Sequence, residues 1–166
     1  MAHVRSFPPL ADGDADVLIL GSMPGKASLK AKQYYAHPHN AFWRIMGALL
    51  GFDPTLPYEQ RIARLSGAHI ALWDVLQSCS RDGSLDTTII ATSETANDLV
   101  GFLAMHPGIQ RVFFNGAKAE ASFKRHMFKP PKLTYQRLPS TSPAHASLSF
   151  TQKLEAWRVI LPAHAR

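Results

Sequence analysis

The 166-residue chain contains one cysteine, Cys79, so it can form no internal disulfide and no Cys-ligated zinc or iron–sulfur site of ordinary type. It has no apolar run of 18 residues and no signal-peptide pattern, which predicts a soluble, cytoplasmic protein with no membrane partner. A phosphate-cradling glycine-rich loop is missing, and no serine stands in a Gly-x-Ser-x-Gly setting. These absences argue against a nucleotide-binding domain and a small-molecule α/β hydrolase. No repeat, low-complexity tract or linker divides the sequence. Residues 1–166 therefore read as one domain, with 1–16 as an arm rich in Pro, Asp and Gly. Negative charge is also scarce: 12 Asp and Glu stand against 18 Lys and Arg, a net +6 with eight further histidines. That excess favours a polyanion partner, nucleic acid first, although many basic proteins of this size bind none.

What is present is an alternation of strands and helices. Val17 to Leu20 is too short an apolar run for a helix and suits a buried strand. Further strands are expected at 68–76, 111–115 and 133–138, and helices at 41–50, 58–65, 94–105, 117–126 and 150–161. In the first of these helices Phe42, Ile45, Met46 and Leu49 recur at helical spacing, and Gly51 stands where a C-terminal cap belongs. Residues 77–86 read as a polar loop with a turn at Asp82-Gly83, and Lys129-Pro130-Pro131-Lys132 as another. The fold expected from this order is α/β: a three-layer α/β/α sandwich around a central, mainly parallel sheet of four strands. Polar clusters then follow the carboxyl ends of the strands, at 21–40, 74–86, 115–118 and 139–146. In an open sheet of this kind that edge binds the ligand.

The longest of these clusters leaves the first strand. Gly21-Ser22-Met23-Pro24-Gly25 forces a sharp turn, and Tyr35-Ala36-His37-Pro38-His39-Asn40-Ala41-Phe42-Trp43 follows a lysine-rich connection. Together they resemble the first motif of the uracil-DNA glycosylase superfamily, closest to its mismatch-specific and hypoxanthine-DNA glycosylase branches. Pro139-Ser140-Thr141-Ser142-Pro143 resembles the second motif, a Pro/Ser loop that presses on DNA. Leu72-Trp73-Asp74-Val75-Leu76 and Phe113-Phe114-Asn115-Gly116 are also similar to the hypoxanthine branch. The ordered set spans nearly the whole chain.

The resemblance implies a monofunctional DNA glycosylase of base excision repair. Such an enzyme flips a deaminated base, hypoxanthine first and uracil second, and hydrolyses its N-glycosidic bond without a cofactor. It implies a catalytic role for Asn40, a base-stacking role for Tyr35, and base contacts from Ser22, Met23, Asn115 and His145. Gly25, Lys26, Ser140, Thr141, Ser142 and Pro143 fall where DNA is held, with Lys30 and Lys32 adding charge. The partner is DNA carrying deaminated bases, the protein a monomer. Two positions depart from the pattern. Met23 stands where the mismatch-specific branch carries a catalytic Asn, and a thioether orients water poorly. His145 stands where typical members carry Asn.

Each assignment has a structural rival in the sequence. Asn40 stands at a helix start and serves equally as a cap. Tyr35 suits loop packing, and His37 and His39, beside Pro38, suit loop backbone contacts. No further ligands accompany the two histidines, so no metal site is expected. Phe42, Trp43, Trp73 and Trp157 read as core, Asp74 as a cap or anchor near the site, and Arg81 and Asp82 as turn residues. A non-catalytic reader of lesion DNA is the alternative of another class, favoured by Met23.

Overall fold

The computed structural model describes residues 2–127 and 132–166. The arm is not a free segment: Ala2–Arg5 forms a strand (β1). Val17–Gly21 (β2) runs into the first turn, after which the lysine-rich connection forms a short helix, Lys26–Ala31 (α1). Phe42–Leu50 (α2) and Tyr58–Gly67 (α3) follow, then Ile70–Asp74 (β3) and Leu76–Arg81 (β4). The second half comprises Thr95–Ala96 (β5), Leu99–Met105 (α4), Arg111–Asn115 (β6), Ala117–His126 (α5), Thr134–Leu138 (β7) and Phe150–Trp157 (α6).

The four expected strands pair in the order β3-β2-β6-β7, parallel throughout. A parallel sheet needs both faces covered, and the side-chain alternation supplies two cores. Val17, Ile19, Leu72 and Phe113 pack on one side with Phe42, Ile45, Met46 and Trp157 from α2 and α6. Leu18, Leu20, Trp73, Val112 and Phe114 pack on the other with Phe102 of α4 and Phe123 of α5. The α/β/α layering is therefore as the sequence predicts.

Several local expectations are corrected. Residues 77–86 are not simply a polar loop, because β4 occupies the first half of them in a second, antiparallel sheet of order β1-β4-β5. The arm reaches that sheet through β1, while Leu10 and Leu72 exchange backbone hydrogen bonds at the edge of the main sheet. The helix expected at 94–105 begins only at Leu99, where the Asp98 carboxylate accepts from the Gly101 N–H. The last α-helix ends at Trp157, and a 3-10 turn covers Arg158–Ile160. Of the Lys/Pro-rich connection, Lys129, Pro130 and Pro131 lie outside the described residues.

Candidate active site

The loops that leave β2, β3, β6 and β7 meet at the carboxyl edge of the main sheet, and Thr141 is where they are tied together. Its N–H donates to the Asn115 Oδ1 at 2.9 Å, and the Asn115 Nδ2 donates back to its hydroxyl at 3.0 Å. Its carbonyl accepts from the Ala41 N–H at 2.9 Å. One residue thus joins the end of β6, the second-motif loop and the start of α2. Thr141, expected on the DNA side, is 1 % exposed and holds the loop. Asn115, likewise expected at the base, is buried, and its amide oxygen and nitrogen each hydrogen-bond Thr141.

Asn40 lies just outside α2, whose N-terminal cap position is Ala41. Its Oδ1 accepts from the Phe42 N–H at 3.0 Å, which fixes the side chain at the mouth of the loop. An amide oxygen has two acceptor sites, so one stays open. Tyr35 lies against the same helix, its ring stacked on Phe42 at 4.1 Å between centroids. Its backbone is left-handed, with φ of +55°. That region is costly for an aromatic residue and persists only where the surroundings enforce it. Core indoles tie down both loops: Trp43 Nε1 donates to the neighbouring Tyr34 carbonyl, and Trp157 Nε1 donates to that of Pro139 in the second-motif loop, both at 2.9 Å.

The first turn is held from behind by a segment that reads as turn residues in the sequence. The Ser22 hydroxyl donates to Asp86 at 2.6 Å, Arg81 donates to the Pro24 carbonyl, and the Lys26 N–H donates to Ser84 at 2.8 Å. Arg81 is buried to 1 % exposure, so it is a scaffold residue. Met23 packs within the core beside Leu20 and Trp73. Gly25 faces Ser84, and Lys26, Lys30 and Lys32 are exposed. In the second-motif loop Ser140 and Ser142 are partly exposed and Pro143 is exposed, while His145 N–H donates to the Ser142 carbonyl at 3.0 Å. Lys153 of α6, buried, reaches the same carbonyl with its amine at 3.4 Å. Burial lowers its pKa, with Arg44 adding to the effect.

Asp74 ends β3 directly opposite Gly21. Its carboxyl is pushed up to about 7, first by burial and then by the nearby charge of Asp86, with Arg81 opposing. Asp86 is itself raised by burial. Sequence reading leaves Asp74 an anchor near the site and misses Asp86, Ser84 and Lys153, which carry no motif of their own. An apolar cavity of about 410 Å³, lined by Val100, Leu103 and Leu133 among others, contains none of the expected site residues.

Comparison with known proteins agrees with this geometry. The family model described as the uracil DNA glycosylase superfamily matches residues 8–161. A hypoxanthine DNA glycosylase of Methanosarcina acetivorans is 36% identical over 159 residues, covering 94% of this chain and 96% of that protein. One from Methanosarcina barkeri is 40% identical over 116 residues, 69% of this chain and 72% of its own length. A solution NMR structure from M. acetivorans, provisionally described as a uracil DNA glycosylase, superposes with a TM-score of 0.79 at 33% identity, covering 96% of both chains. With its two motifs latched at one sheet edge, the chain belongs to the uracil DNA glycosylase superfamily.

Proposed function

We propose that the protein releases hypoxanthine from DNA by hydrolysis of the N-glycosidic bond, with Asn40 holding the attacking water. The observation that carries this reading is the anchored Asn40 amide, whose oxygen accepts one backbone hydrogen bond from Phe42 and keeps a second acceptor site. Cleaving the bond builds positive charge on the sugar and negative charge on the departing base. A catalytic group here needs to orient water rather than deprotonate it strongly, which an amide oxygen does. The Tyr35 ring, backed by Phe42 on one face, offers the other for stacking a flipped base. Ser140, Ser142, Pro143 and His145 border the opening, and Gly25 and Lys26 begin the lysine-bearing helix beside it, where phosphates flanking the lesion are held. The base contacts expected of Ser22 and Met23 narrow, on this reading, to the backbone of the turn, since their side chains face Asp86 and the core.

Hypoxanthine is preferred over uracil because both Methanosarcina relatives carry that name over most of their length. Among the described residues no helix is long and apolar enough to cross a membrane. We take the protein to act as a single domain, a cytoplasmic monomer working on cellular DNA. The deciding assay is base release from matched oligonucleotides carrying one deoxyinosine, one deoxyuridine or neither, with abasic sites revealed by alkali and Asn40→Ala run alongside. Hypoxanthine release that collapses in the variant, with DNA binding kept, is the expected result. Release of uracil alone would move the substrate assignment. Tight lesion binding without release of any base would make the protein a reader instead of an enzyme.

A further inference from the structure

Tyr34 is held by three different elements. Its hydroxyl donates to the Pro8 carbonyl of the arm at 2.8 Å, and the Phe7 ring lies edge-on to its own at 5.2 Å between centroids. Its N–H donates to the Tyr58 hydroxyl at the start of α3, and its carbonyl accepts from Trp43 Nε1 of α2, both at 2.9 Å. The arm end of this clamp is itself fixed. Trp73 Nε1 donates to the Phe7 carbonyl at 2.9 Å, and Leu10 exchanges backbone hydrogen bonds with Leu72 of β3. Buried backbone groups are paired in most folds, so these bonds alone would make Tyr34 ordinary packing. What sets it apart is its neighbour. Tyr35 has a left-handed backbone, φ +55°, and a strained residue keeps that conformation only while the residues beside it cannot shift to relax it. On the far side the Ala36 N–H donates to Ser28 Oγ of α1 at 3.1 Å. Tyr35 is therefore strung between two fixed points with its ring on Phe42.

We propose that Tyr34 is a positioning residue for base release. The arm, through the Pro8 carbonyl, and α3, through the Tyr58 hydroxyl, hold it so that Tyr35 stays left-handed with its ring against Phe42. The proposal rests on the glycosylase reading above, in which the Tyr35 ring stacks on the flipped base, and it adds the arm as a working part of the site. Tyr34 is 3 % exposed, so it acts through Tyr35 and not on the base itself. Releasing either bond lets the Tyr35 backbone relax towards the extended region. The stacking face is then no longer in place when the base arrives. The loss falls on the rate of the bound complex, whereas the first encounter with DNA depends on charge.

The test uses the full chain with Tyr34→Phe, Tyr58→Phe and Tyr35→Ala, and with Tyr34→Phe added to Tyr35→Ala. Three quantities are read: single-turnover base release from a deoxyinosine duplex at saturating protein, anisotropy with that duplex and an undamaged one, and the melting temperature. Tyr34→Phe and Tyr58→Phe should each slow release roughly 5-fold well below melting, the size of one hydrogen bond, with affinity for undamaged DNA unchanged. On top of Tyr35→Ala, Tyr34→Phe should change the rate by less than about twofold, because the group being positioned is gone. A lowered melting temperature with an unchanged rate would make Tyr34 a structural residue only and overturn the proposal. So would a rate loss of the same size in the absence of the Tyr35 ring. A wild type that releases nothing but prefers deoxyinosine DNA would sink the glycosylase reading. The clamp would then stand if Tyr34→Phe weakened that preference only while the Tyr35 ring was present, and fall otherwise. A wild type with neither release nor preference would overturn both.

Discussion

At the scale of single residues, Asn40 and Asp74 divide the work between geometry and chemistry. Asn40→Ala removes one local hydrogen bond, to the Phe42 N–H, so its stability cost should be about 1 kcal/mol, the usual size for such a bond. On the proposed role its effect on base release should be far larger, roughly 100-fold or more, because a group that orients water acts in the transition state. Thermal melts and single-turnover rates on the same preparation check both halves. Asp74 governs stability against pH. Its carboxyl titrates near 7 in the folded protein, above the ordinary 3.8 of an unfolded Asp. A group raised on folding gives its full stabilisation below the unfolded value and loses it as pH rises through the folded one. The melting temperature should therefore fall between about pH 4 and pH 7, and Asp74→Asn should flatten that limb. A variant whose melting curve keeps the wild-type slope over this window would show that Asp74 does not titrate there.

At the scale of elements, the site depends on latches more than on helices or strands themselves. Asn115→Ala leaves the Thr141 N–H and hydroxyl without their partner in a buried position, which should cost about 2–4 kcal/mol. Because Thr141 also receives the Ala41 N–H, the same change should loosen the start of α2 and depress activity beyond what the lost stability explains. Hydrogen exchange at Ala41 and Thr141 would report this directly: faster exchange at both positions is expected, and protection unchanged at Ala41 would break the link. This scale is also where sequence reading succeeds and fails. β2, β3 and β6 were legible because each is a short apolar run bounded by turn residues, with both faces buried, whereas the edge strand β7 is mostly exposed and shows no such run. α2 was legible from its helical spacing. β4 was not, since Gln77, Ser78 and Ser80 interrupt any apolar alternation and its partner β1 lies more than 70 residues away in the arm. The burial of Arg81 follows from that pairing and has no local signature. Asn40, Tyr35 and the second motif stood out only by resemblance, whereas the Asp74–Gly21 contact arises from strand register, which no single stretch encodes.

At the scale of the whole molecule, charge is the property that association with DNA uses first. The chain carries +6, and Lys26 and Lys30 on one short helix, with Lys32 just past its end, are exposed at the rim of the site. Lys118, by contrast, is 2.9 Å from the buried Glu94, which also accepts from Ser122 at 2.9 Å. Burial raises the Glu94 pKa, but these hydrogen bonds outweigh it and hold it below the ordinary value, so Lys118 is part of the fold's own ion pairing. The lysines of α1 are thus better placed than Lys118 to exchange counterions for phosphates. Each phosphate contact contributes close to −0.9 to the slope of log K against log salt on duplex DNA. Replacing Lys26, Lys30 and Lys32 together with Gln should therefore make the slope shallower by about 2–3, weakening binding to lesion and undamaged DNA alike. The hypoxanthine-to-adenine preference should survive, because phosphate contacts carry no base information. Anisotropy titrations from low to moderate salt, on both duplexes, separate the two contributions. A slope unchanged by the triple substitution would place the phosphate contacts elsewhere, with the second-motif loop of Ser140, Ser142 and Pro143 as the next surface to test.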